Sequence, residues 1–240
     1  RIMKKLEGVV LSLLTGGGGN DNYWHWLFDV LPRLELCNNI IDLNDIDYFI
    51  LPNLRKHFQL QTLKELNLPE KKILSSEKFR HIKANKLIIT NHPYVFKDSY
   101  VDTENIKTWI LLWLRDKFVN KSVKNNKLTN KKIYIDRNNS DLNKISERSI
   151  TNENEIKKYL LENDFISVNL SEINFIEQVD LFSQAECVVG LHGAGFANLV
   201  FCPPETKVVE LKSADIGPVI ENITKKVDLN YCSVVGKTTS

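Results

Sequence analysis

His25, Asp29 and Arg33 recur at i, i+4 and i+8 within Asn20-Asp-Asn-Tyr-Trp-His-Trp-Leu-Phe-Asp-Val-Leu-Pro-Arg-Leu34. On a helix this spacing stacks the three on one face, so an imidazole, a carboxylate that can orient it and a permanent cation share one line. Such a line suits removal of a proton from a hydroxyl, with His25 or Asp29 as the base and the other orienting it. The alternative is a structural network in which Asp29 pairs with Arg33 beside a packed histidine. Trp24 and Trp26 flank His25, and exposed aromatic faces there would stack on sugar rings.

A second constellation is Gly190-Leu-His-Gly-Ala-Gly195, between the apolar run Glu186-Cys-Val-Val-Gly190 and Phe196-Ala-Asn-Leu-Val-Phe201. It reads as a strand, a tight turn and a helix. The small residues Gly193, Ala194 and Gly195 would let a phosphate approach the unpaired N–H groups of the helix N-terminus, and His192 would add a donor. The spacing is neither G-x-G-x-x-G nor a P-loop, so no nicotinamide or ATPase site follows. Glu210, at the end of Lys207-Val-Val-Glu-Leu211, is placed to accept hydrogen bonds from ribose hydroxyls. Arg137 and Arg148 stand out in a chain with 25 Lys and only 7 Arg, and a guanidinium fork suits phosphate.

Elements must hold these residues. Strands are expected near 8–14, 47–51 and 86–90, with helices near 21–40, 54–66 and 103–119; Pro32 should kink or end the first helix. Residues 121–132, rich in Lys and poor in apolar residues, read as a linker between an N-terminal domain over 1–120 and a C-terminal domain over 133–240. In the second domain strands at 132–136, 165–170, 187–191 and 207–211 alternate with helices at 153–163, 174–185 and 194–202. Asn152 and Glu155 fit a capping box for the helix at 153. The alternation predicts an α/β fold of two Rossmann-like domains with mainly parallel sheets. Seven of the ten glycines lie in two clusters, and the run Gly16–Gly19 reads as a hinge at a cleft wall or a plain linker.

Composition excludes other classes. With 42% apolar and 26% charged residues, the chain is a folded protein of 240 residues. A net charge of +2, with Lys scattered among Asp and Glu, argues against a nucleic-acid partner. No apolar run approaches the roughly 20 residues a bilayer requires, and Val9–Leu14 is too short for a signal-peptide core. Cys37, Cys187, Cys202 and Cys232 show no metal spacing and are expected as buried free thiols in a reducing compartment. Sequons at Asn120, Asn138, Asn169 and Asn222 are what chance predicts at this Asn content.

Taken in order, several segments resemble glycosyltransferase family 61. They are Asn22 to Leu34, Arg137, Arg148-Ser-Ile-Thr-Asn-Glu153, Glu177-Gln178 with Leu181-Phe182, Val189 to Asn198, and Val209-Glu-Leu211. The resemblance implies a GT-B architecture, two Rossmann-like domains facing a cleft, and inverting transfer from a nucleotide sugar, usually a UDP-sugar, to a glycan or polysaccharide acceptor. It implies that Arg137, Arg148, His192, Gly193, Ala194, Gly195, Asn198 and Glu210 hold the donor, and that the first domain presents the acceptor and the base, with Trp24, Trp26 and Arg33 as substrate contacts. No metal and no cofactor beyond the sugar nucleotide are expected. A cytoplasmic location is expected, with peripheral association at the inner membrane face allowed. Two other classes stay open: a catalytically silent sugar- or nucleotide-binding module, and a nicotinamide-dependent oxidoreductase, for which the glycine spacing is a poor match.

Overall fold

The computed structural model describes residues 3–15, 21–94, 96–97, 100–102, 104–119, 131–137 and 149–237. Gly16–Gly19, Arg148 and all but the end of the expected linker fall outside them. The chain divides into two compact units, Arg1–Trp113 and Leu114–Ser240. Both are built on parallel sheets, as the α/β reading expects.

In the first unit the sheet holds β1 (Lys4–Ser12), β2 (Tyr48–Leu51), β3 (Ile73–Ser75) and β4 (Ile82–Ile89) in the order β3-β2-β1-β4. Every pairing is parallel, with Val10 opposite Tyr48 and Ser12 opposite Ile89. The chain order reverses between β1 and β4. In open α/β sheets ligands bind outside the strands' carboxyl ends at such a reversal. Central β1 buries Val10 and Leu11 completely, as a strand covered on both faces must. A bulge between Leu6 and Val9 is set by Gly8, whose φ of +105° suits glycine, and by Asp47, whose carboxylate accepts the Val9 N–H at 2.7 Å.

The expected helix at 21–40 is three pieces: α1 (Tyr23–His25), a π-helical turn (Trp26–Val30) and α2 (Pro32–Asn38). Pro32 has no N–H to donate and tolerates only the first turn of a helix, so α2 begins with it. The wide turn before it is closed by the Leu31 N–H on the Trp26 carbonyl. Asn22 starts the segment by accepting the N–H groups of Trp24 and His25. The segment packs on α3 (His57–Glu65), where Tyr23 meets Phe58 edge-on at 5.1 Å. The antiparallel pair β5 (Phe96–Lys97) and β6 (Tyr100–Val101) follows β4, then α4 (Thr108–Phe118), whose Trp113 indole donates to Glu35.

In the second unit β7 (Lys132–Asp136), β8 (Ile166–Asn169), β9 (Cys187–Leu191), β10 (Lys207–Lys212) and β11 (Asn230–Val235) form a parallel sheet in the order β11-β10-β9-β7-β8. Counted from β7, this is the 2-1-3-4-5 order of flavodoxin-like sheets, with its reversal between β7 and β9. Helices α5 (Glu153–Glu162), α6 (Phe175–Ser183) and α7 (Val219–Lys226) connect the strands, and α5 packs on β8. Phe118, Phe175 and Phe201 pack edge to face in the core, and Arg115 ties the Val200 and Cys202 carbonyls.

The expected capping box at Asn152 is not formed: Asn152 makes no side-chain cap bond and only touches Glu155 at 3.4 Å. A reciprocal box stands instead at α6, where Asn174 accepts the Glu177 N–H and Glu177 accepts the Asn174 N–H. All four cysteines are free, but only Cys37 and Cys202 are buried; Cys232 is exposed. Among the described residues no helix is long and apolar enough to cross a membrane.

Candidate functional site

In the first unit the chemistry gathers where β1 and β4 end. His25 Nδ1 lies 2.7 Å from Asp29 Oδ2, one helical turn on. The imidazole side chain is 34% exposed and the carboxylate 10%. With Nδ1–H donated to the carboxylate, Nε2 is left with its lone pair, the state a base requires. This hydrogen bond is the main cause of a raised His25 pKa, with burial opposing it.

Asp29 does not pair with Arg33. The Arg33 side chain is buried and donates from Nε to the Asp29 carbonyl at 2.9 Å and from Nη1 to the Thr90 carbonyl at 3.2 Å. Burial lowers its pKa, partly offset by Asp29. Arg33, expected as a substrate contact, thus links the histidine segment to Thr90 at the end of β4. Trp26, expected to stack on a sugar ring, lies in the core. It is fully buried, its indole donating to Thr62 at 2.8 Å, so it presents no stacking face. Trp24 is half-buried and packs edge-on against Phe28 at 4.7 Å.

Sequence reasoning missed the segment after β4. Tyr94 is buried and its hydroxyl pKa is pushed well up, first by burial and then by Asp29. Half-buried His92 is lowered by burial, with Asp29 opposing and Arg33 and His25 adding. Among the described residues, Thr15 Oγ1, Asp29 Oδ1, Thr90 Oγ1 and the Tyr94 hydroxyl are buried without a hydrogen bond of ordinary geometry, although the Tyr94 hydroxyl interacts with Asp29 closely enough to raise the tyrosine pKa. Thr15 follows β1, Thr90 and Tyr94 follow β4, and Asp29 backs the histidine. Buried polar groups are nearly always paired, so the gathering of two unbonded threonine hydroxyls and the Tyr94–Asp29 pair at one sheet edge marks a polar site rather than a packed core. No periodicity could have announced them, because they come from three separate segments.

In the second unit Arg137 follows β7 and His192 follows β9, the adjacent strands at the reversal. The structure brings them together, with Arg137 Nη1 donating to the His192 carbonyl at 3.0 Å. The guanidinium lies over Gly193, where an added Cβ would come within 3.1 Å of Arg137 Cζ. A side chain there would require the guanidinium, the mobile end of Arg137, to give by a few tenths of an ångström. Ala194 and Gly195 open a 3-10 helix, Ala194–Phe201, in place of the expected α-helix, and its leading N–H groups have no helical acceptors.

His192 Nδ1 lies 2.5 Å from Glu210 Oε1, and the Tyr231 hydroxyl donates to Glu210 Oε2 at 2.5 Å. Glu210 is wholly buried. Both of its oxygens, expected to face ribose hydroxyls, are bonded within the protein, one of them to His192. Tyr231, on the edge strand β11, was not anticipated; burial first, then Glu210, raises its hydroxyl pKa. Asn198, expected at the donor site, lies beneath the turn. Fully buried, it donates to Gln178 Oε1 and the Gly195 carbonyl, bracing the glycine turn from beneath.

Each unit thus offers a histidine aimed by a carboxylate at the carboxyl edge of a parallel sheet, one half-exposed, the other beside a guanidinium and open amide groups. Among curated proteins none matches the chain. The family model described as Glycosyltransferase 61 matches residues 23–209, a span that begins in the His25 segment and runs through the glycine turn. Covering most of the 240 residues, that match shows that the chain belongs to glycosyltransferase family 61.

Proposed function

We propose that this glycosyltransferase moves a sugar with inversion from a nucleotide sugar, in the first instance a UDP-sugar, to a glycan acceptor. The observation that carries the reading is the His25–Asp29 pair at the β1/β4 edge. Exposure supports His25 as the base and Asp29 as its orienting group, since the carboxylate is the more buried partner. Nε2 takes the proton of the acceptor hydroxyl as its oxygen attacks the anomeric carbon from the face opposite the diphosphate. The anomeric C–O bond breaks and UDP departs with the electron pair.

Departure concentrates charge on the β-phosphate. Arg137, His192 and the amides of Gly193, Ala194 and Gly195 are the groups suited to neutralise it, and Arg148 joins them by the family resemblance. The same donors supply the electrostatic role that a metal ion plays in other transferases, so transfer proceeds without one. The GT-B arrangement, a polysaccharide or capsule product and a cytoplasmic place at the inner membrane face belong to the same proposal.

Two measurements test it. In a thermal-shift screen of UDP-, GDP- and CMP-sugars, a UDP-sugar at 100 times its dissociation constant should stabilise by about 2.7 kcal/mol; a shift with GDP or CMP but not UDP sinks the nucleotide assignment. If His25→Ala and Asp29→Ala both keep initial transfer rates within about threefold of the parent, against the 10²–10⁴ expected of a general base, the base assignment fails.

A further inference from the structure

The first unit carries a second polar feature at the same sheet edge. Asn53 and Arg55 follow β2, and Ser76, Glu77 and Arg80 follow β3. With Asp21 they line a cavity of about 230 Å³. Asp21 stands one residue before Asn22, the cap of the His25 segment. That segment packs on α3 through Tyr23–Phe58 and Trp26–Thr62, and α3 begins just after Arg55. Asp21 and Arg55 thus lie in the loops that lead into these two packed elements.

Part of the lining is a fixed frame. Arg55 Nη2 meets Glu77 Oε1 at 2.6 Å, and the N–H groups of Arg55 and Lys56 both donate to Gln59 Oε1. The Ser75 hydroxyl touches Asn53 Oδ1 at 3.4 Å, and the Ser76 N–H donates to the Leu51 carbonyl. Against this frame, Asp21 and Arg80 carry opposite charges, and neither side chain has a hydrogen bond or ion pair among the described residues. Two of only seven arginines in a lysine-dominated chain meet here.

The lining chemistry selects a ligand class. All six residues are polar, with an amide, a hydroxyl, two carboxylates and two guanidiniums. Among the described residues, no aromatic or aliphatic side chain lines it to receive a base or an acyl chain. The two cations and two anions cancel, so an anion would meet Asp21 and Glu77 as well as the arginines. A sugar ring answers this pattern: each hydroxyl both donates and accepts, the carboxylates taking its protons and the guanidinium and amide donating to its oxygens.

We propose that this cavity binds one neutral sugar residue of the acceptor glycan, a subsite beside the residue that loses its proton to His25. The proposal rests on the transferase reading above for the word acceptor, but not for the sugar site itself.

The test is a titration of the isotope-labelled chain with the methyl glycosides of glucose, galactose, xylose and N-acetylglucosamine, and separately with glucuronate and inorganic phosphate. It is read at the Asn53 side-chain amide and the Arg80 Nε–H signals. At least one neutral glycoside should shift both signals saturably, and Arg80→Gln and Asp21→Asn should each weaken that binding at least tenfold. Both replaced side chains are exposed, and an unchanged thermal melt confirms that each variant folds. Silence with every neutral glycoside, shifts with the anions alone, or variants that bind like the parent overturn the proposal. Saturable glycoside shifts in a chain that transfers no sugar from any donor leave a sugar site and sink the transferase reading. Transfer with silent signals sinks the subsite alone.

Discussion

The two units carry a histidine bonded through Nδ1 to a carboxylate, and the two pairs are built differently. His25 and Asp29 are four residues apart on one helical segment, with the imidazole 34% exposed. His192 and Glu210 are 18 residues apart on adjacent strands, with the imidazole 15% exposed and the carboxylate wholly buried. Asp29 Oδ1 makes no hydrogen bond of ordinary geometry, while both oxygens of Glu210 are taken, one of them by Tyr231. A local pair on a helix leaves its imidazole edge accessible, which suits transient work on a proton. A pair clamped across three strands suits a fixed donor that meets charge in one geometry.

The sharpest way to break this comparison is to remove each imidazole. His25→Ala should lower kcat about 10²–10⁴-fold while leaving the donor KM near the parent value. His192→Ala should instead raise the donor KM and the UDP dissociation constant about tenfold, the value of one charge-assisted hydrogen bond. Equal profiles in steady-state kinetics would show that the two histidines do not divide the labour.

Removing the carboxylates should separate the pairs again. Glu210→Leu leaves the Tyr231 hydroxyl and His192 Nδ1 without their buried acceptor, and thermal melting should report a loss of about 1–3 kcal/mol. Asp29→Asn should act chiefly through pH. The Asp29 hydrogen bond raises the His25 pKa above 6.5, so the rate of a reaction that needs the neutral imidazole climbs only as pH rises through that raised value. Without the carboxylate the acid limb of kcat should move to lower pH; an unmoved limb assigns it to another group. The stability linkage has the opposite direction. A raised folded-state value favours the fold below pH 6.5, and the contribution fades as pH rises through it.

The smallest effect should come from Tyr231→Phe, which removes one hydrogen bond to Glu210 at a cost of about 1 kcal/mol. Donor KM should rise by less than tenfold with kcat little changed. A larger effect on kcat than on KM would mean that the relay serves the chemical step.

Much of the fold was legible because alternation of apolar runs with helical patterns does not depend on distant partners. The 187–191 strand matched at both ends, and β7 to β10 followed the expected order. Strand β3 escaped notice because three residues carry no periodicity. Strand β11, Asn-Tyr-Cys-Ser-Val-Val, is largely exposed and so lacks the apolar run that signals a buried strand. The π turn was invisible because Pro32 forbids a continuous helix without saying how the chain absorbs it. Asn152 and Asn174 are each followed three residues on by Glu, yet only the second forms the box. Capping depends on the backbone entering the helix extended, as Asn174 does at ψ 167° and Asn152, at ψ 34°, does not.

The sequence by itself put His25, Asp29 and Arg33 within reach of one another, because an i, i+4 spacing brings helical side chains together, and it marked the glycine turn as a place of close approach, but it left open whether Asp29 meets His25 or Arg33. Tertiary structure alone decided which neighbours matter. It buried Trp26 and Asn198, set Arg33 on backbone carbonyls, and paired Glu210 with His192. Burial and cross-strand partnership are properties of the packed sheet, set by strand order and register, and no local spacing encodes them.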